Sequence, residues 1–287
     1  MTYPPRRRDL PARRRETTRR PVDVAVPAVL VAVAILPMWP AYATARFAIA
    51  VLLAVALGAA VGTVGARQRW SSVPMAGATL AGLVLASGVA APRLALLGLI
   101  PTPATVGATA IGVVTSWKQA LTVAAPLGDV EPLLTVPVMV GLIGALLATS
   151  FALRFRQAGW ALVPPAAALV IAILFGTVEP LLPIPLGLVG AGVGLAWAMW
   201  RAGRVDQRRP LALAVMALAF AVGGLTGAWW GPTEHRVVLR EVVEPPLDIR
   251  AYPSPLAAFR AYLKDHRDDV LFRVDNLPPG VPIRLAA

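Results

Sequence analysis

Residues 46–66 read RFAIAVLLAVALGAAVGTVGA, and no charge follows Arg46 until Arg67. A helix of this length crosses the roughly 30 Å of bilayer hydrocarbon, which needs about 20 apolar residues. Arginines bracket the run at Arg46 and at Arg67-Gln68-Arg69-Trp70. Six more stretches have the same character: 22–42, 73–92, 133–153, 159–177, 181–200 and 211–230. None carries an Asp, Glu, Lys, Arg or His in its interior. The whole chain agrees with them. Of its 287 residues, 57% are hydrophobic and 15% charged, against about 45–50% and about 25% in soluble domains, and mean hydropathy is +0.68. A globule of this size cannot bury that much apolar surface, so the reading is an all-α polytopic membrane protein with seven transmembrane helices over 22–230.

The position of the charge supplies the topology. Residues 1–21 hold eight arginines, two acids and four prolines. Such a segment buries too little apolar surface to offset its ordering entropy, and it reads as a disordered basic arm. With that arm in the cytoplasm, the connectors on its side carry 16 arginines against four acids. The opposite connectors carry Arg46, Arg93 and Lys118 against Asp129, Glu131 and Glu179, and residues 231–287 carry eight bases and eight acids. The entire net charge of +12 therefore lies on one side. That is the positive-inside pattern, with N-terminus in, C-terminus out, in a cell membrane. The arm also suits anionic lipid headgroups, at about 1 kcal/mol per Arg near the surface. No aromatic residues interleave its arginines to stack on bases, so nucleic acid is not expected as a partner.

Two stretches complicate the count. Pro27 and Ala41-Tyr42-Ala43 give 22–42 the outline of a signal peptide, but the run is long for one and Trp39 fits an interfacial anchor. Leu94–Val114 is long enough to span, yet Pro101 and Pro103 interrupt it and three threonines thin it. It reads as part of an outside loop, 93–132, that is re-entrant or lies in the interface. Trp117 suits the headgroup layer there, as Trp229 and Trp230 do after the last stretch. Gly58/Gly62, Gly190/Gly194 and Gly223/Gly227 are spaced for close helix packing.

The chemistry of common enzymes is missing. Cysteine is absent and histidine occurs twice, at His235 and His266. No phosphate loop, zinc-binding helix or nucleophile elbow is present. Catalytic, cofactor-binding and metal-ligating residues are accordingly expected to be none.

After Trp230 the composition becomes that of a soluble domain. Residues 231–287 suggest a short α+β segment, with a strand from His235, a helix over 255–267 and a hairpin over 270–287. The run "LREVVEPPLDIRAYPSPLAAFRAYLKDHRDDVLFRVDNLPPGVPIRLA" and the stretch "SWKQALTVAAPLGDVEPLLTVPV" at 116–138 resemble bacterial TgpA-type transglutaminase-like membrane proteins of the high-GC Gram-positive form. The most specific parts are Y-P-S-P-L-x-x-F-R at 252–260 and L-F-x-V-x-x-L-P-x-G at 271–280. The resemblance implies a membrane bundle followed by an extracytoplasmic core with a Cys-His-Asp triad. Here that core and its cysteine are absent, so no catalytic residue carries over, and 231–287 is expected to be the start of a truncated domain.

Three functions follow as expectations. The first is a non-catalytic anchor or scaffold, the N-terminal part of a transglutaminase-like protein. The second is a small-solute transporter or channel, which lacks the intramembrane charge usual for that work. The third is an accessory subunit that docks an extracytoplasmic partner through its tail.

Overall fold

The computed structural model describes residues 10–123, 125–155, 157–177, 181, 183–201 and 239, with backbone alone for 10–20 and 183–184. These all belong to the first of two units of the chain, Met1–Glu244. The stretch 211–230, the segment 231–287, Gly223, Gly227, Trp229, Trp230 and both histidines lie outside the described residues.

Among the described residues the protein is helical, and the one β-type pairing is a single bridge between Leu96 and Ile100. Helix α1 is Leu10–Ile35, and a 3-10 turn over Leu36–Met38 leads to the four-residue α2, Trp39–Tyr42. Then follow α3 Ala45–Arg67, α4 Ser72–Ala90, α5 Pro103–Thr122, α6 Thr135–Arg154, α7 Gly159–Leu174 and α8 Pro183–Arg201. Four helical stretches are long and apolar enough to cross a membrane: Pro21–Tyr42, Ala45–Arg67, Ser72–Ala90 and Thr135–Arg154. Helix α7 is apolar but has 16 residues.

Two differences from the sequence reading have local causes. The helical backbone starts at Leu10, inside the segment read as a disordered arm. Arg, Ala and Glu are good helix formers, and Pro11 falls in the first turn, where a missing N–H breaks no helical bond. The segment 93–132 contains a 20-residue helix, α5. Pro103 does not interrupt it but opens it. Thr102 is the N-cap, its hydroxyl accepting from the Thr105 amide at 3.2 Å while the Thr105 hydroxyl accepts from the Thr102 amide at 2.8 Å. This reciprocal box satisfies two backbone donors that a helix start leaves without intrahelical partners.

The core is built around α6. It is apolar on every side, as befits a central helix, and buries Val136, Val138, Leu142, Ala145 and Ala148. Helix α3 runs parallel to it. Gly58 lies against the Leu142 backbone, Gly62 against Leu146 and Thr149, and the Gly65 carbonyl accepts from Arg154 Nη2 at 3.0 Å. Helix α1 is antiparallel, with Val31 at Gly144 and Ile35 at Gly141. Helix α8 is antiparallel to α1, with Gly194 at Leu30 and Trp197 at Asp23.

These pairings give the bundle two ends. Asp23, the turn Arg67–Trp70, Arg154 and Arg201 gather at one. Tyr42, Arg46, Arg93, Asp129, Glu131 and Leu133 gather at the other. Among the described residues, the side-chain contacts of helix α5 with its neighbours lie at this second end. Thr105 meets Ser87 near the end of α4, Gly112 meets Thr135 at the start of α6, and Trp117 meets Phe175 just past α7. It crosses the end of the bundle and does not run through it.

Candidate functional site

The glycines separate into two kinds. A Cβ on Gly58 would strike the Leu142 carbonyl, and one on Gly62 would strike the Thr149 hydroxyl and lie 2.6 Å from the Leu146 oxygen. Those two positions let the α3 and α6 backbones touch, which is the use of small residues four apart. Gly190 has open space, and Gly194 would meet Leu162 and Leu30 at ordinary to slightly tight distances of 3.3 and 3.5 Å. Both line an apolar cavity of about 240 Å³ between α1, α7 and α8, with Leu30, Leu162, Pro165 and Leu169 on its walls. Ligand pockets add a few polar groups that fix orientation; the described lining has no polar side chain.

Of the tryptophans named from the sequence, the two that are described, Trp39 and Trp117, pack at the end shared with α5. Trp39 stands edge-on to Phe47, with ring centroids 5.8 Å apart. Trp117 stands edge-on to Phe175 at 5.4 Å and donates its ring N–H to the Val113 carbonyl at 3.1 Å. Beside them the buried Tyr42 hydroxyl donates to the Leu133 carbonyl at 3.0 Å, tying the first helical stretch to the start of α6.

Charged groups occupy both ends and form two different structures. At the arginine end, Asp23 and Arg201 pair at 3.5 Å with side chains only 13% and 15% exposed. Trp197 donates its ring N–H to the same Asp23 oxygen at 3.1 Å, and the Arg201 guanidinium lies over the Trp197 ring at 5.4 Å. Arg201 also donates to the Phe155 carbonyl at 2.9 Å. Arg154 donates to the carbonyls of Gly65 and Trp70, clamping the α3–α4 turn. At the other end Asp129 lies between Arg46 at 3.6 Å and Arg93 at 3.3 Å, and Glu131 accepts from the Arg93 and Leu94 amides. All four of these carboxylate and arginine groups are partly open to water, so the pairs position loops and contribute little energy.

A third feature is a seam of hydroxyls inside the α5 end. Ser87, Thr105, Thr109, Ser116 and Thr135 are all buried. Ser87 and Thr105 share a 3.0 Å bond and Ser116 donates to the Gly112 carbonyl. The hydroxyls of Thr109 and Thr135 have no protein partner.

Neither the Asp23–Arg201 staple nor the seam was anticipated from the sequence. The staple joins residues far apart in the chain; its only sequence signal is an acid at the start of one apolar stretch and an arginine at the end of another. Among the described residues no cluster of three or more metal-ligating side chains exists. Set against known protein families, curated proteins and solved structures, the chain finds no match in any of them.

Proposed function

We propose that this chain is a non-catalytic membrane anchor or scaffold. One observation carries the reading: among the described residues, ionisable side chains sit at the two ends of the bundle, and between them the helices meet through apolar side chains, glycines and a few hydroxyls. Such an interior offers grip between helices and no relay for protons, ions or a nucleophile. The charge asymmetry of the connectors supports seven passes in a cell membrane, with the arginine end in the cytoplasm and residues 231–287 outside. The arginine end would face the anionic lipid of the inner leaflet. The resemblance of 231–287 to the segment after the bundle in TgpA-type proteins supports an extracytoplasmic partner, a transglutaminase-like core being the first candidate.

The test has two arms. Reconstituted in proteoliposomes, the full chain should pass no small solute and show no transamidase or hydrolase turnover. Expressed in cells and cross-linked, it should capture an extracytoplasmic protein that is lost when residues 231–287 are deleted. Solute flux would favour the transporter reading, and turnover would end the scaffold reading.

A further inference from the structure

We propose that the loop Leu94–Ile100 and helix α5 are immersed in the lipid leaflet at their end of the bundle, contacting acyl chains directly as a non-spanning membrane element. The proposal rests on the membrane reading above and gives it a lipid-contact surface.

The first observation is the polarity of α5 up to Val114, which is reversed relative to a helix in water, before Lys118 and Gln119 expose polar groups in its last turns. Thr105, Thr109, Gly112, Ser116 and Ala120 recur every three or four residues and are buried toward the bundle. On the opposite face Ile111 is 64% and Val114 79% exposed. A water-facing helix puts its hydroxyls outward and its branched apolar residues inward. Hydroxyls turned toward protein and aliphatics turned away are what a hydrocarbon solvent selects.

The second observation is the loop. Leu96 and Ile100 close a tight reversal through paired backbone bonds of 3.1 and 3.0 Å. Turn tips in water favour Asn, Asp, Ser and Gly. Here the tip is Leu97-Gly98-Leu99, with Leu97 in the left-handed region at φ 55° and 91% exposed. The fold holds a leucine in an unfavourable backbone conformation so that its side chain projects outward.

The third observation is continuity. Ile49 on α3 and Val89 on α4 share one concave surface with Leu97 and Leu99, with the Arg46 side chain at its edge against Gly98, and Leu52 and Leu85 on those same candidate spans are exposed. The loop thus extends the apolar surface that the spans present to lipid. The ion pairs of Arg46 and Arg93 with Asp129, together with exposed Lys118, mark the water side of the element.

The chain has no cysteine, so single-cysteine spin labels need no background removal. Labels at L97C, I111C and V114C in the full chain, in phosphatidylcholine–phosphatidylglycerol vesicles, are compared with L52C on α3 and K118C on α5. Power saturation then reads collisions with oxygen, which dissolves in hydrocarbon, and with a water-soluble nickel chelate. The expected result is an oxygen-dominated ratio at 97, 111 and 114 that matches position 52, and a nickel-dominated ratio at 118. Nickel dominance at 97, 111 and 114 would overturn the proposal in favour of a water-exposed loop. Shelter from both reagents would overturn it in favour of a covering protein surface. Nickel dominance at position 52 as well would instead strike the membrane reading on which it rests.

Discussion

At the residue scale the decisive contacts are backbone contacts, because backbone cannot move aside as a flexible side chain can. Gly58→Ala sets a methyl against the Leu142 carbonyl, and Gly62→Ala sets one against Thr149 and Leu146. Overpacking of this kind costs about 1–3 kcal/mol. Helix propensity opposes it, favouring Ala over Gly by about 1 kcal/mol. Steric conflict wins at these two sites, so each single variant should lower the unfolding temperature in detergent, and the double variant more. Gly190→Ala meets nothing within 4 Å and should be neutral or slightly stabilising. Equal behaviour of the three variants would mean that α3 and α6 do not touch as described. Tyr42→Phe removes the bond to Leu133, whose carbonyl keeps the Val136 amide at 3.3 Å, so the loss should be about 0.5–1.5 kcal/mol. The same unfolding measurement checks that loss. The GxxxG spacing was legible in the sequence at Gly58 and Gly62, but identical spacing at Gly190 and Gly194 borders a cavity. Spacing alone does not report what stands opposite.

At the scale of elements, the apolar helices were legible and the connections between them were not. Length and absence of charge are enough to mark 22–42, 46–66, 73–92 and 133–153, and helices lie over each of them. Helix α5 is harder to read because proline commonly marks a break, whereas Pro103 occupies the one turn where proline is favoured. Its threonines lowered the hydropathy while facing inward. Thr102→Ala should destabilise this helix by about 1 kcal/mol through the lost cap, seen as faster amide exchange over 103–110 with the rest of the bundle unchanged. The α1–α8 contact includes the Asp23–Arg201 pair. Removing one partner of a fully buried pair costs about 3–5 kcal/mol; here both side chains keep some contact with water, so Asp23→Ala should fall toward or below the lower figure. The variant D23A/R201M leaves no uncompensated charge and should recover part of the loss. No recovery in thermal unfolding would mean that Asp23 acts through other neighbours and not through Arg201.

For the whole molecule, the alternating direction of the described helices and the lopsided charge are two statements about one geometry. The parallel and antiparallel pairings of α1, α3, α6 and α8 bring Arg67, Arg69, Arg154 and Arg201 to one end, together with Asp23. Arg46 and Arg93 face Asp129 and Glu131 at the other. The two groups are the ones that the connector count separated, because alternation along a chain of spanning helices sorts connectors in strict turn. What the sequence could not reveal is how each end is closed: at one by arginines donating to carbonyls of helix ends, at the other by a helix laid across the bundle. If the arginine end faces the cytoplasm, Gln68 and Val130, both exposed, lie on opposite sides of the membrane. In intact cells a membrane-impermeant maleimide should therefore label V130C and spare Q68C, and permeabilisation should make Q68C reactive. The absence of native cysteine makes each signal belong to one position. Reversed labelling would invert the orientation and detach it from the positive-inside rule. Labelling of both positions in intact cells would show that α3, α4 and α6 do not separate those two ends across a bilayer, and the anchor reading would fall with the topology.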